Sequence, residues 1–301
     1  MSSITRRATQ SDEKALQLMW KTVFGDSDEA IDLFFETYFD PNMTVVADSE
    51  SGPAAAGYIL PVGQLLFGEQ SLPYANLPCA MIYSVATLPA SRGLGHGTAV
   101  VNDLIQLGFA EGYKAVVLCP ATDSLFEYYS SRTRLRDWFY VCEGRYDPSH
   151  ASDSPAIELT AISPEKYHSL RNNLLGGIPH IECDLRALSY QKLLCGQYGG
   201  GLFRAGSPRG EACLAAEKQA DGSLWIKELL LSNVSEADAM AAVAASFPDS
   251  DIYFRSPSSI SGSSYQTRRF GMLALPDDFD HIDIEKIPLL KDKPYYGLAF
   301  D

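Results

Sequence analysis

Apolar residues recur at helical spacing through the first half of the chain. Leu16, Met19, Trp20, Val23 and Phe24 share one face, and Ala30, Ile31, Phe34, Phe35 and Tyr38 share another. Steps of three and four residues stack side chains on one side of an α-helix. Two helices are therefore expected, the first capped by Thr9 or Ser11 and the second by Ser27. Val100, Val101, Leu104, Ile105 and Gly108 mark a third helix by the same spacing. Between them "MTVVAD", "AAAGYILPVGQLLFG" and "CAMIYSVATL" read as strands, and "SSITRRA" as a short strand before the first helix. The third helix is followed by a strand in "YKAVVLCP", a short helix in "DSLFEYYSSR" and a strand in "DWFYVCEGRYD". Short links between the central strands require antiparallel pairing. The expectation is an α/β (α+β) mixed sheet, not a doubly wound parallel one.

The stretch "DPSHASDSP", rich in Pro, Ser and Asp, reads as a linker and predicts domains at 1–147 and 156–301. Beyond it, "SPEKYHSLRNNLL" and "DLRALSYQKLL" are helical, and "GGGLFRAG", "EACLAAEKQ" and "SLWIKELLL" are successive antiparallel strands. A helix in "SEADAMAAVAASF" leads to strands in "DIYFRS", "GMLAL" and "PYYGLAF".

Composition changes this picture little. With 301 residues and 46% hydrophobic content the chain suffices for one large or two medium domains with proper cores. No apolar run reaches the ~18 residues of a membrane helix, and "MSSITRRATQSDEK" lacks a signal peptide's apolar core, so a cytoplasmic protein with no membrane partner is expected. The six cysteines form no C-x-x-C pair, which predicts buried, reduced thiols and no metal site.

Charge says more. A net charge of −14 argues against a nucleic-acid partner. Between Lys21 and Arg92 no lysine or arginine occurs, whereas nine carboxylates do, six of them from Asp26 to Asp40. That stretch is either a field that attracts a cationic ligand or a solvated face that keeps the protein soluble.

The richest local signal is "ATLPASRGLGHG", residues 86–97, between a strand and the third helix. Gly93, Gly95 and Gly97 fall at every second position, so it is neither a dinucleotide fingerprint nor a P-loop. Glycines there let the backbone curl tightly, and the helix beginning near Gly97 adds unpaired amides and a positive dipole end. The result is either an anion site suited to a pyrophosphate or a plain strand-to-helix turn.

"VATLPASRGLGHG" resembles the R/Q-x-x-G-x-G/A element of the GNAT superfamily of acyl-CoA-dependent N-acyltransferases, with Arg92, Gly95 and Gly97 at the defining positions. The order of elements in residues 3–146 is similar to the GNAT order, and "LFEYYSS" resembles the family's F-Y-E-K stretch. The whole chain resembles a GNAT fold followed by a second, degenerate GNAT-like α+β domain, similar to the first two units of the enhanced-intracellular-survival acetyltransferases. The opening "ATQSDEKALQLMWKTVFGDSDEAIDLFF" and closing "KPYYGLAFD" are similar to a group of two-domain bacterial acetyltransferases of about this length.

The resemblance implies acetyl-CoA as co-substrate, with no metal. Its pyrophosphate would lie on the amides of Leu94, Gly95, His96, Gly97 and Thr98, in a turn that includes Arg92 and Gly93. Its pantetheine would run beside Val85 and Thr87. Tyr129 falls where many members carry a tyrosine general acid. The glycine–phenylalanine pair that usually closes the stretch is replaced by "RTRLRDW", which leaves Tyr128 as the alternative.

The acceptor is expected to be a small-molecule amine, cationic if Asp26, Asp28, Glu29 and Asp32 border its side of the cleft, with Tyr83 on the adjoining strand. "AMIYSVATL" carries no carboxylate base. A water chain, an acid from 26–40 or the carboxylate of Asp301 would then take the proton. Two other readings remain open: a CoA-binding regulatory module with weak turnover, and transfer to a protein or peptide amine.

Overall fold

The computed structural model describes residues 5–50, 52–68, 76–147, 157–207, 210–258, 265–279 and 293–301. The chain forms two compact units. One comprises Met1–Gly63, Leu77–Asp137 and Gly271–Ile282, and the other Gln64–Asn76, Trp138–Phe270 and Asp283–Asp301. In chain order the elements begin β1 (Thr5–Arg7), α1 (Glu13–Phe24), α2 (Asp28–Thr37), β2 (Thr44–Ser49), β3 (Gly52–Leu66) and β4 (Asn76–Thr87). They continue α3 (His96–Ala110), β5 (Ala115–Leu118), α4 (Asp123–Arg132) and β6 (Arg136–Arg145). Next come β7 (Glu158–Ala161), α5 (Pro164–Leu175), β8 (His180–Cys183), α6 (Leu185–Gln197), β9 (Gly201–Ser207) and β10 (Gly210–Lys218). The last are β11 (Leu224–Ser232), α7 (Glu236–Ser246), β12 (Ile252–Ser256) and β13 (Gln266–Ala274).

In the first unit the strands run β1-β2-β3-β4-β5, with β2 and β3 antiparallel and β4 and β5 parallel. Val100, Val101, Leu104 and Ile105 of α3 bury against Ile59, Ala80, Ile82 and Val116 of the sheet. The approach is close: a Cβ at Gly108 would lie 2.6 Å from Ile59 Cδ1. Helices α1 and α2 pack through Trp20 and Phe34, whose rings are 4.7 Å apart, and Phe34 meets Tyr58 of β3 at 4.8 Å. The expected Ser27 cap is present, accepting from Ala30 N at 3.2 Å. Thr9 caps a short 3₁₀ turn, residues 10–12, ahead of α1, and donates to Asp12 at 2.8 Å through its hydroxyl. Arg6 clamps Asp12 and Asp48 at 2.7 and 2.6 Å, which holds the Asp12 carboxyl well below the usual carboxylate range.

The second unit reuses that order. β9, β10 and β11 are antiparallel neighbours, α7 follows, and β12 returns parallel to β11. Ala239, Met240 and Val243 of α7 cover Leu214, Ile226 and Phe254. On α5 and β11, Arg171 and Glu228 form an ion pair at 2.8 Å with both side chains fully buried.

Each unit takes a strand from the other half of the sequence. β5 pairs antiparallel with β13 through Leu118↔Met272, Val117↔Leu273 and Val116↔Ala274. β12 pairs antiparallel with β6, from Tyr253↔Arg145 to Ser256↔Cys142. Among the points where one compact unit gives way to the other are Asp137–Trp138 and Phe270–Gly271. The reason is packing: Trp138 sits 6.1 Å from Phe67, and Phe139 5.7 Å from Tyr296, all within the second unit. Residues 148–156, most of the expected linker, lie outside the described residues.

"PYYGLAF" reads as a strand from its apolar run, yet among the described residues its named pairing is a bridge from Tyr295 to His180. Its side chains are buried instead.

Candidate active site

The parallel ladder between β4 and β5 runs from Cys79↔Ala115 to Ile82↔Leu118 and stops where β5 ends. β4 continues for five more residues, Tyr83 to Thr87. Ser84 adopts a left-handed conformation, with φ 47°. A non-glycine residue there costs roughly 1–2 kcal/mol and redirects the strand. Tyr83, Ser84, Val85 and Thr87 are half-buried, so β4 presents backbone and small polar groups along an open edge. This kink carries no sequence signature, because serine occupies a position where glycine would have announced it.

The turn after β4 leads straight into α3. Gly93 and Gly95 have φ 81° and 85°, in the left-handed region that favours glycine. A Cβ at either would meet nothing within 4 Å, so conformation rather than crowding requires glycine here. Arg92 folds back, its Nε donating to Thr87 O at 3.3 Å, which pins the turn to the end of β4. Gly95 is the residue before the helix and makes no side-chain cap, and the first turn holds no carboxylate. The amides of Gly97 and Thr98 lie in the first turn of α3, next to the positive end of its dipole. His96 is half-buried within this turn, and Leu94 is exposed. Such a cradle accepts a phosphate group by backbone amides alone.

The helix start at the same place in the second unit is different. Ser235 caps α7 by accepting from Asp238 N at 3.1 Å, and Glu236 and Asp238 occupy its first turn. Two carboxylates there repel an anion.

Both α4 tyrosines lie near α3, in different settings. The Tyr128 hydroxyl is 2.6 Å from Thr98 Oγ1, joining α4 to the first turn of α3. Tyr129 is 7% exposed and packs with Phe126 in the core of the unit. Burial, and to a lesser degree Tyr128, pushes its hydroxyl pKa up to about 12, so it stays protonated across the physiological range.

Tyr83 ties the open edge of β4 to the helical layer. Its ring is 5.7 Å from both Trp20 and Phe34. Trp20 Nε1 in turn donates to Asp26 Oδ2 at 2.7 Å. Asp28 is paired with Lys21 at 2.7 Å, and Asp26, Asp28, Glu29 and Asp32 are all exposed. Counting charge along the sequence missed both partners, because Trp20 reads as core and Lys21 as the cation that closes the acidic stretch.

Asp301 belongs to the second unit, where Arg255 Nη2 donates to its Oδ2 at 2.8 Å. Among the described residues, no group of three His, Cys, Asp or Glu side chains is placed to hold a metal ion, and no helix is long and apolar enough to cross a membrane.

Residues 5–132 match the acetyltransferase (GNAT) domain family. The chain carries a GNAT acetyltransferase domain. It runs from β1 to the end of α4, and the open edge of β4, the glycine turn and both tyrosines fall inside it. A GCN5-related N-acetyltransferase from Anabaena variabilis is similar in structure at TM-score 0.67 and 19% identity, covering 90% of this chain and 72% of that one. Eis1 from Mycobacterium abscessus is similar at TM-score 0.61 and 12% identity, with 92% and 74% covered. A putative acetyltransferase from Pyrococcus horikoshii is similar at 0.58 and 16%, with 100% and 95% covered. These likenesses extend over both units and show a shared fold. No curated protein matches the sequence.

Proposed function

We propose that the GNAT domain transfers the acetyl group of acetyl-CoA to a primary amine of a cationic small molecule by direct attack. The observation that carries this reading is the junction of the left-handed Gly93–Gly95 turn with the open edge of β4. Amides of Leu94 to Thr98 would hold the pyrophosphate, and backbone groups of Val85 and Thr87 would pair with the pantetheine. The acetyl thioester supplies an activated carbonyl, and binding beside β4 would direct it to the end where Ser84 turns the strand. Tyr129, protonated and buried, is assigned as the proton donor to the departing thiolate. Tyr128, linked to Thr98, is assigned to shaping the cofactor turn. The residues of β4 from Tyr83 to Thr87 include no carboxylate, so the ammonium proton leaves through water or through the acidic stretch from Asp26 to Asp40.

A thiol-release assay with acetyl-CoA over a library of amines tests the activity directly. The absence of a base on β4 favours one other reading, a CoA-binding module with little turnover. That reading predicts CoA binding and no thiol release with any amine. For the cofactor, Gly95→Val is expected to weaken CoA binding at least tenfold by calorimetry, since a β-branched residue resists the left-handed conformation. Unchanged affinity in a folded Gly95→Val protein would remove the turn from the site.

The acidic stretch makes a second claim. If Glu29 and Asp32 attract the amine, its KM should rise clearly from low to high salt, because such attraction is screened within about 8 Å at physiological ionic strength. Glu29→Gln with Asp32→Asn should raise the KM at low salt and flatten that dependence, leaving the KM for acetyl-CoA in place. Asp26 and Asp28 hold Trp20 and Lys21, so their substitution would also disturb those contacts. An acceptor that is neutral, or kinetics indifferent to both salt and substitution, would make the stretch a solvated face.

A further inference from the structure

The second unit repeats the parting of strands that opens the cleft of the first, and its own chain fills the gap. β11 and β12 pair only at Leu224↔Ile252, Trp225↔Tyr253 and Ile226↔Phe254, although β11 runs on to Ser232 and β12 to Ser256. The first residues past the parting are Lys227 and Glu228 on one strand and Arg255 on the other. These three charged side chains are all buried, at 8%, 0% and 3% exposure.

All three meet the same segment, residues 294–301. Arg255 donates through Nη1 to Gly297 O at 2.9 Å, and through Nη1 and Nη2 to Asp301 Oδ1 and Oδ2 at 3.1 and 2.8 Å. Lys227 Nζ donates to the main-chain oxygen of Asp301. Gly297 lies against Glu228: a Cβ there would fall 3.1 Å from Oε1, and 2.1 Å from the Tyr295 hydroxyl. The backbone of the segment is held as well. Tyr295 N donates to Pro179 O at 2.8 Å, and Tyr140 N donates to Pro294 O at 2.9 Å. Tyr295, Tyr296, Leu298, Ala299 and Phe300 are buried, and Phe300 meets Tyr190 edge-on at 5.0 Å.

We propose that the cleft of the second unit takes an extended peptide, not an acyl-CoA, and that residues 294–301 are its occupant in cis, anchored by Arg255. Its chemistry fits a peptide on three counts. A guanidinium reads a backbone carbonyl and a carboxylate together. Neighbouring backbone groups give the peptide hydrogen bonds, and the walls bury aromatic side chains. The same cleft does not fit a phosphorylated ligand, because α7 begins with Ser235, Glu236 and Asp238 where an anion would have to lie. The proposal is independent of the acyl-transfer reading, since every contact it uses lies in the second unit.

Hydrogen exchange on the full chain tests it without any cofactor. In the parent protein the amides of Tyr295, Tyr296 and Leu298 to Phe300 should exchange slowly. Arg255→Met should accelerate them at least tenfold, and so should the milder Asp301→Asn, which keeps shape and removes only charge, while amides of α3 hold their parent rates. A fluorescein-labelled KPYYGLAFD peptide should then bind the Asp301→Asn chain saturably, and bind the parent at least tenfold less. Tail amides already fast in the parent, or unmoved by Asp301→Asn, would overturn the proposal. So would accelerated amides without saturable peptide binding, or calorimetry that finds two CoA molecules per chain. One CoA, or none, is the expected count at the second cleft's expense, and none would count against the first unit's assignment alone.

Discussion

Tyr129→Phe is expected to lower the turnover of amine acetylation by roughly 10²–10⁴-fold, the usual value of a positioned general acid, with CoA affinity nearly unchanged. The substitution removes one hydroxyl from a buried ring and leaves the packing against Phe126 in place. Tyr128→Phe should do the opposite, moving the KM for acetyl-CoA by breaking the 2.6 Å link to Thr98 while sparing kcat. The pH profile adds a signature. Because burial raises the Tyr129 hydroxyl to about 12, the donor keeps its proton above the ordinary tyrosine range, so kcat should show no alkaline fall near pH 10. Steady-state kinetics of the two variants from neutral pH to about pH 10.5 would decide. Full turnover in Tyr129→Phe with loss in Tyr128→Phe would transfer the acid role to Tyr128.

The second large effect concerns stability. Arg171→Met should destabilise the second unit by about 3–5 kcal/mol, because it leaves the Glu228 carboxylate buried without its counter-ion. The pair is bidentate, with Nε and Nη2 at 2.8 and 3.1 Å from the two carboxylate oxygens. Tyr167 donates to the same group at 2.9 Å, and Arg171 Nη1 reaches Ile181 O at 2.7 Å. Removing both charges, as Arg171→Met with Glu228→Gln, should recover much of the loss. Urea unfolding followed by tryptophan emission can report it, since Trp138 and Trp225 lie in the second unit and Trp20 in the first. A double variant no more stable than Arg171→Met would show that packing, not the orphaned charge, sets the effect.

Periodicity and turn chemistry made much of the first unit legible. Leu16, Met19 and Trp20 do face inward on α1, and Val100, Val101 and Leu104 do on α3. Both signals are local, since three- and four-residue spacing and a capping serine need no knowledge of the rest of the chain. The glycine turn was readable for the same reason. Pairing partners were not. "GMLAL" identifies a strand, but nothing in five apolar residues says that its neighbour is Val116–Leu118, and that one choice decides where a compact unit ends. The kink at Ser84 was hidden by the residue type, and the partners of Asp26 and Asp28 by distance in space. Charge counted along a chain overstates a field when Trp20 and Lys21 already engage part of it.

The pairing of β5 with β13 fixes an order of assembly. A ribosome releases Val116–Leu118 long before Met272–Ala274, and at ~5–20 residues per second the gap is on the order of ten seconds. Until β13 is made, Val116–Leu118 of β5 lack the antiparallel neighbour they have in the finished sheet. A pairing across so long a stretch of chain also closes slowly once both strands exist, since loop-closure entropy comes before any contact rewards it. A nascent chain stalled short of Gln266 therefore exposes a ready template for strand addition, and the acetyltransferase half, though made first, is among the last parts of the molecule to be completed.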